Sequence, residues 1–401
     1  MAFPDLVIRR AFLGSLAAFL AAAASVAAAA DGTHFVWFGT YTGGNAGSEG
    51  IYVARFDAAQ GTLSAPILAA SATNPSFLAL HPTQPVLYAV AESSGGAGES
   101  AGAVVAFAID EATGRLHRLN EQPSGGAGPC HLCIDPAGKV VVATNYGGGS
   151  TICLGIGADG RLETVADGTP GGFVQHVFDR SADAGINPQR QEKPHAHGAT
   201  ITPDGRFAFV CDLGLDQVII SAIDADKATL APHGVARVAN GAGPRHIALH
   251  PRGRFAYCLN ELDRTVTAFA FDPAAGTLAP IQSLSTLPES VADPQGVLCA
   301  EIAVHPSGRF VYASNRGHDS IAMFTIDEAT GRLTFRGVEP IRGRTPRHFA
   351  LAPDGRFLLA EGQGSNTVAI FSVDPTTGML LFLDRSITVP APVSAVFRPI
   401  D

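Results

Sequence analysis

Short runs of alternating apolar and polar residues fill the chain from His34 to the C-terminus, and clusters of Gly, Pro and Asp separate them. Alternation with a period of two is the signature of half-buried strands, and Gly/Pro clusters mark turns. No stretch of comparable length has helical periodicity. A turn of the form Asp-x-x-x-Gly-x-Leu follows a short apolar run again and again: "FDAAQGTL" at 56, "IDEATGRL" at 109, "IGADGRL" at 156, "IDADKATL" at 223, "FDPAAGTL" at 271, "IDEATGRL" at 326 and "VDPTTGML" at 373. A second phrase, Pro-x-Gly-Arg-Phe leading into alternating apolar residues, interleaves with it six times, as in "HPRGRFAYCL" and "HPSGRFVYAS".

Each unit therefore reads as four strands. "HIALH" turns at Pro-Arg-Gly into "FAYCLN", which loops to "TVTAFAFD", which turns into "LAPIQSLS". Four-stranded repeats of roughly fifty residues predict a β-propeller. Seven turns against six Pro-Gly phrases are explained by the ends. The first strand, "HFVWFGTYT", is of the second type, and the last, "PVSAVFRPID", is of the first type. The expectation is an all-β, seven-bladed β-propeller with four antiparallel strands per blade, its ring closed by the N- and C-terminal strands in one blade.

That topology carries the first strand of each blade down the channel from one mouth and brings the second strand back to it. Residues opening first strands and closing second strands then converge. Blade by blade the mouth collects Ser76–Phe77 with Glu92, His131 with Asn145–Tyr146, and His195 and His197 with Asp212. Arg245–His246 with Glu261, Glu301 with Asn315–Arg316, and Arg347–His348 with Glu361 and Gln363 complete it. Arg and His concentrated in one place suit an anionic or polyhydroxylated small molecule. His81, His250 and His305 precede the Pro turns at the opposite end and read as structural. An insertion at about residues 165–197, polar and rich in Gly and Pro, leads into His195 and His197 and reads as a wall or lid of the mouth.

Composition adds the setting. The formal charge is −9 and only 16% of residues are charged, with no basic run, which argues against nucleic acid and anionic membranes as partners. Residues 1–30 pair Arg9–Arg10 with an Ala/Leu run that ends on small residues. This reads as an export signal of the twin-arginine type, cleaved after Ala30, and predicts a periplasmic or secreted monomer with no membrane contact after cleavage. Six cysteines are scattered; Cys130-His-Leu-Cys133 stands without a second pair, so the thiols read as core residues rather than a zinc site.

The phrases "NPQRQEKPHAHG", "GPRHIALHPRGRFAYCLNE", "AEIAVHPSGRFVYASNRG" and "TPRHFALAPDGRFLLAEGQ" resemble the seven-bladed lactonase family. That family includes the propeller-type 6-phosphogluconolactonases and the fungal carboxy-muconate cyclases. The resemblance spans nearly the whole chain after the signal. It implies chemistry at His197, Arg245, Glu261 and Arg316, through the HAHG, GPRH, NE and SNR motifs. Two departures stand out: Glu361 in "EGQGSN", where the family more often has Asn, and the export signal, since phosphorylated gluconolactone is a cytosolic metabolite.

Lactone opening needs a base for water, a cation for the oxyanion and grips for ring hydroxyls or a carboxylate. Glu261 or His197 is the candidate base, and Arg245 and Arg316 the candidate oxyanion or carboxylate grips. His131, Asn145, Tyr146, His195, His246, Glu301, Arg347, His348 and Gln363 are expected to bind substrate, a small lactone or acid. No cofactor is expected, and the interleaved arginines argue against a cation such as the calcium of regucalcin-type propellers, although Glu261, Glu301, Asn145 and Asn315 carry suitable oxygens. Two alternatives use the same sequence: a lactonising cyclase acting on unsaturated dicarboxylates, and a non-catalytic envelope scaffold.

Overall fold

The computed structural model describes residues 32–43, 47–94, 102–163, 172–178, 187–291 and 295–400. The expected export signal lies outside them, as do parts of the long insertion. The described residues contain strands and no helix, arranged as seven sheets around one axis. Innermost strands are Leu78–Leu80, Pro129–Ile134, Ala196–Ile201, Pro244–Leu249, Leu298–Val304, Pro346–Leu351 and Pro392–Pro399. Neighbours within each sheet pair antiparallel.

The ring closes as the two chain ends imply. Thr33–Thr40 pairs with Gly50–Asp57 on one side and Pro392–Pro399 on the other, in a register running from His34–Pro399 to Thr40–Pro392. The outer strand of this blade is split into Thr62–Leu63 and Ile67–Ser71, both pairing Gly50–Asp57. Pro66, which has no N–H to give the ladder, lies in the gap.

The two repeated phrases turn out to be halves of one joint between blades. Each Asp-x-x-x-Gly turn is capped by its Asp, as where Asp110 Oδ1 accepts from the N–H groups of Ala112 and Thr113, both at 3.0 Å. Its Gly lies at positive φ and lets the neighbouring blade come close. A Cβ on Gly331 would sit 2.3 Å from the Phe255 ring, and one on Gly378 would sit 2.4 Å from Phe310. The freed carbonyls then take buried donors: Tyr257 Oη donates to Gly331 O at 3.1 Å and Tyr312 Oη to Gly378 O at 2.8 Å. The copy without Gly forces Ala228 to φ 51°. Apolar side chains from paired blades, such as Tyr257, Leu259, Val311 and Phe324, fill the space behind each joint.

His81, His250 and His305 seal the same rim. Their Nε2 atoms donate to the carbonyls of Gly138, Gly308 and Gly355 on the next blade, at 3.1, 2.9 and 2.9 Å.

Candidate active site

At the opposite rim every innermost strand but one starts irregularly. Pro244 pairs Asn260 while His246 pairs Leu259, so Arg245 has no partner in the ladder. Arg347 is skipped in the same way between Pro346–Gly362 and His348–Glu361, and Cys130 between Pro129–Asn145 and His131–Thr144. The pairing slips across His197–Gly198 and across Ala300–Glu301 as well. A β-bulge breaks the two-residue alternation and re-aims a side chain. Arg245 and His246, adjacent in sequence, thus both reach the channel.

Glu261 is the centre of this ring. Its N–H donates to Gly243 O at 2.7 Å, and its carboxylate collects three guanidinium groups: Arg190 Nη2 at 2.6 Å from Oε1, with Arg245 Nε at 2.9 Å and Arg316 Nη2 at 3.1 Å from Oε2. Burial alone would raise its pKa, but Arg316, Arg245 and Arg190 outweigh that and hold it down to about 2. Arg245 is pulled to about 10 by burial and by the like charges of Arg347 and Arg316. It also donates to Ala300 O. Arg316 donates to Cys299 O at 2.8 Å, leaving its buried Nε without a partner among the described residues.

A second chain of charge runs alongside. His246 Nδ1 lies 3.1 Å from Glu301 Oε2, His348 Nε2 lies 3.5 Å from the same oxygen, and His348 Nδ1 lies 2.7 Å from Glu361 Oε2. Glu301 is held at about 2, because His246, His348 and Arg245 outweigh its burial. Burial lowers His246 to about 4, while at His348 the carboxylates of Glu361 and Glu301 overcome burial and raise it. His131 and His197 are pushed well below the ordinary value, first by burial and then by neighbouring cations, so both are neutral near pH 7. His131 Nδ1 accepts from Ala199 N–H at 3.3 Å, which leaves Nε2 as its donor. His197 Nδ1 has only the Cys130 thiol beside it among the described residues, at 3.7 Å.

Three of these groups, Arg245, His246 and Glu301, line a narrow cavity with Arg347, Tyr41, Ser76, Phe77, Cys130 and Val393. It encloses about 240 Å³ of atom-free space including the mouth, yet only about 10 Å³ where the centre of a water fits. That is room for roughly one water. Arg347 lies over the Tyr41 ring at 5.3 Å, and its guanidinium has no ion pair or hydrogen bond among the described residues. Tyr41 Oη in turn donates to Glu92 at 2.9 Å.

Not every residue expected at the mouth faces the cavity. Asn145 is fully buried and turns back into its own blade, donating from Nδ2 to Ser124 O at 2.8 Å and Ser150 Oγ at 3.1 Å. His195 stacks on Tyr146 at 4.5 Å and binds Glu192 at 3.1 Å. Asp212 holds the His195 N–H at 2.8 Å and His176 Nδ1 at 2.6 Å. These three shape the walls. Tyr146 meets His197 edge-on at 5.5 Å, and Gln363 borders an adjoining groove.

Two further residues, beyond those expected from the sequence, join the site. Arg190, from the insertion, bonds Tyr146 Oη at 3.1 Å as well as Glu261; it lies inside "NPQRQEKPHAHG", so that phrase held the signal. Tyr41 closes the second-type strand at the N-terminus and could have been read by aligning that strand with the others. Among the described residues no group of three His, Cys, Asp or Glu side chains is arranged to hold a metal, and all six cysteines are free.

A seven-bladed ring with an Arg–Glu–His cluster at one mouth defines a propeller lactonase, and the chain belongs to that family: residues 35–397 match the model described as "Lactonase, 7-bladed beta-propeller". Among its relatives, a 6-phosphogluconolactonase of Bacillus subtilis is 36% identical over 78% of this chain and 83% of its own length. A 6-phosphogluconolactonase of Formosa agariphila is 32% identical over 79% of this chain and 86% of its own. The solved structure of a periplasmic gluconolactonase from Pseudomonas aeruginosa superposes with a TM-score of 0.83 at 31% identity, covering 92% of this chain and all of that one.

Proposed function

We propose that the protein hydrolyses a sugar δ-lactone at the bulged mouth, above the narrow cavity, and that His197 is the base. The observation that carries this reading is the buried imidazole of His197, which burial and the neighbouring Arg245 and Arg347 keep neutral. Its Nε2 has no hydrogen-bond partner among the described residues, whereas both nitrogens of His246 are engaged, by Glu301 and by Arg245 Nη1 at 3.1 Å. Glu261, held at about 2, is a poor proton acceptor; its charge serves to fix Arg190, Arg245 and Arg316.

In this reading water attacks the lactone carbonyl carbon and gives one proton to His197. Arg347 and Arg245 stabilise the oxyanion, and the ring C–O bond then breaks. The proton passes from His197 to the departing ring oxygen. The free acid ionises, and its carboxylate meets Arg347, whose guanidinium has no internal partner among the described residues. Export to the periplasm or beyond, monomeric behaviour and independence of metal belong to the same reading. They are supported by the leader sequence and by the arginines packed where a cation would have to sit.

The test is a pH-stat assay with glucono-1,5-lactone. Wild-type protein should release acid well above the spontaneous rate, and Arg347→Met should lower kcat/KM by roughly 10²-fold, the usual scale for losing one oxyanion donor. Unchanged kcat/KM in that variant would remove Arg347 from the site.

A further inference from the structure

Five innermost strands are entered through a residue at positive φ that immediately precedes a proline. In two blades this residue is glycine, Gly128 at 61° and Gly243 at 65°. In the three consecutive blades nearest Tyr41 it carries a side chain: Asn74 at 39°, Thr345 at 60° and Ala391 at 42°. The left-handed region penalises a Cβ, most of all in a β-branched residue such as Thr and least in Asn. Asn74 is also held by its side chain, which accepts from the N–H groups of Thr42 and Gly43 and donates to Glu92 O. Glycine makes the same turn in the sister blades, so the turn itself does not demand the side chains of Thr345 and Ala391. Strain that persists where an unstrained solution is at hand points to a functional surface.

All three residues border one groove. It offers about 450 Å³ for a water's centre, against about 10 Å³ in the cavity, and Tyr41 is the wall shared by both. Its remaining lining is neutral, from Gln363 and the glycines 43 and 364. Thr345 Oγ1 and the Gln363 carboxamide have no hydrogen-bond partner among the described residues. Thr345 O accepts from both Arg347 N at 2.8 Å and Gln363 N at 3.1 Å, so the strained residue links the groove to the cavity.

We infer that this groove is a second sugar subsite and that the protein takes lactones of disaccharide aldonic acids, with the lactone ring at the cavity and a neutral glycosyl unit over Tyr41, Thr345 and Gln363. The inference rests on the sugar-lactone reading above. Free hydroxyl and amide groups beside an aromatic ring match the hydroxyls and apolar face of a pyranose, and no charged side chain among the described residues lines the groove to hold a phosphate. Its volume, far larger than that of the cavity, gives the second ring a place outside the catalytic space.

The test compares three substrates: glucono-1,5-lactone, its 6-phosphate and the 1,5-lactone of cellobionic acid. Gly43→Leu is the probe, because a Cβ there meets nothing within 4 Å and its backbone is not left-handed. Wild-type protein should open the disaccharide lactone with kcat/KM at least equal to that for gluconolactone, and Gly43→Leu should lower that ratio at least tenfold. Thr345→Gly should lower it several-fold without loss of thermal stability. Equal effects of Gly43→Leu on all three substrates, or a selective effect on the phosphate ester, would overturn the inference. Calorimetric binding of cellobionate separates the two claims. Binding abolished by Gly43→Leu in a protein that opens no lactone would sink the lactonase reading and keep the groove.

Discussion

His246 and His250 stand at the two ends of one innermost strand, and the ends do different things. At the His250 end the imidazole is caught between two backbone groups: Nε2 donates to Gly308 O at 2.9 Å and Nδ1 accepts from Arg252 N–H at 3.1 Å. His305 and His81 repeat the arrangement on their own blades, with Ser307 and Gln84 N–H groups at 3.1 and 2.9 Å from Nδ1. Every ring there is saturated by the main chain and its tautomer is fixed. At the His246 end the rings meet carboxylates, guanidiniums and one another, with His131–His246 at 4.9 Å and His197–His246 at 5.1 Å between centroids. The difference lies in the backbone beneath. A regular strand end presents one side chain to a repeated joint, whereas a bulged strand start presents two neighbours to the channel. Histidine content therefore says little about where chemistry happens; saturation by backbone partners says more.

This contrast can be broken most severely at the mouth. Glu261→Gln leaves the three guanidiniums around a neutral amide, and removing one partner of a buried ion cluster costs about 3–5 kcal/mol. Denaturant unfolding should show that loss, and catalytic efficiency should fall by roughly 10²-fold or more as the arginines lose their anchor. A variant as stable as wild type would mean that Glu261 does not bind the cluster together.

At the joint rim the effect should be smaller and of another kind. His250→Ala removes a bridge to the next blade and leaves Gly308 O buried without its donor, a cost of about 1–3 kcal/mol. Specific activity of the folded fraction should be unchanged. A matching loss of activity would show that the two rims are coupled.

Mild acid addresses both rims at once. The folded-state pKa of His246 is lowered to about 4, and those of His131, His197, His81, His250 and His305 are lowered too, chiefly by burial. His348, Asp263, Asp216 and Glu361 shift the other way, but the six lowered histidines outnumber these four raised groups. On balance the unfolded chain binds more protons than the folded one below about pH 6.5. Stability should be highest near neutral pH and decline as pH falls toward 4. Glu261 and Glu301, depressed to about 2, keep most of their contribution through this window and lose the rest as pH falls on toward 2. Thermal midpoints measured from pH 8 to pH 4 check the sign; a midpoint that rises on acidification would refute it.

Much of the architecture was readable because it repeats. Seven copies of one turn, five with the full Asp-x-x-x-Gly form, and six copies of the second phrase are local signals, and the mismatched ends told how the ring closes. Which rim each histidine occupies followed from strand direction alone. What escaped was set by register and by reach. A bulge adds one residue to one strand and leaves no mark in an alternating pattern, so the aim of Arg245 and the inward turn of Asn145 could not be separated. Arg190 reaches Glu261 across 71 positions of sequence from an irregular segment, and only the folded chain brings the two together.

A neutral His197 as the base is tested most directly by the pH dependence of kcat for glucono-1,5-lactone opening in wild-type protein and in His197→Gln. Because burial and nearby cations push His197 well below 6.5, wild-type kcat should be flat from pH 6 to 8 and fall only under more acidic conditions. In His197→Gln, kcat should drop by roughly 10²-fold or more and the acid limb should disappear with it. A variant that keeps the wild-type rate and the same acid limb would contradict the assignment of the base.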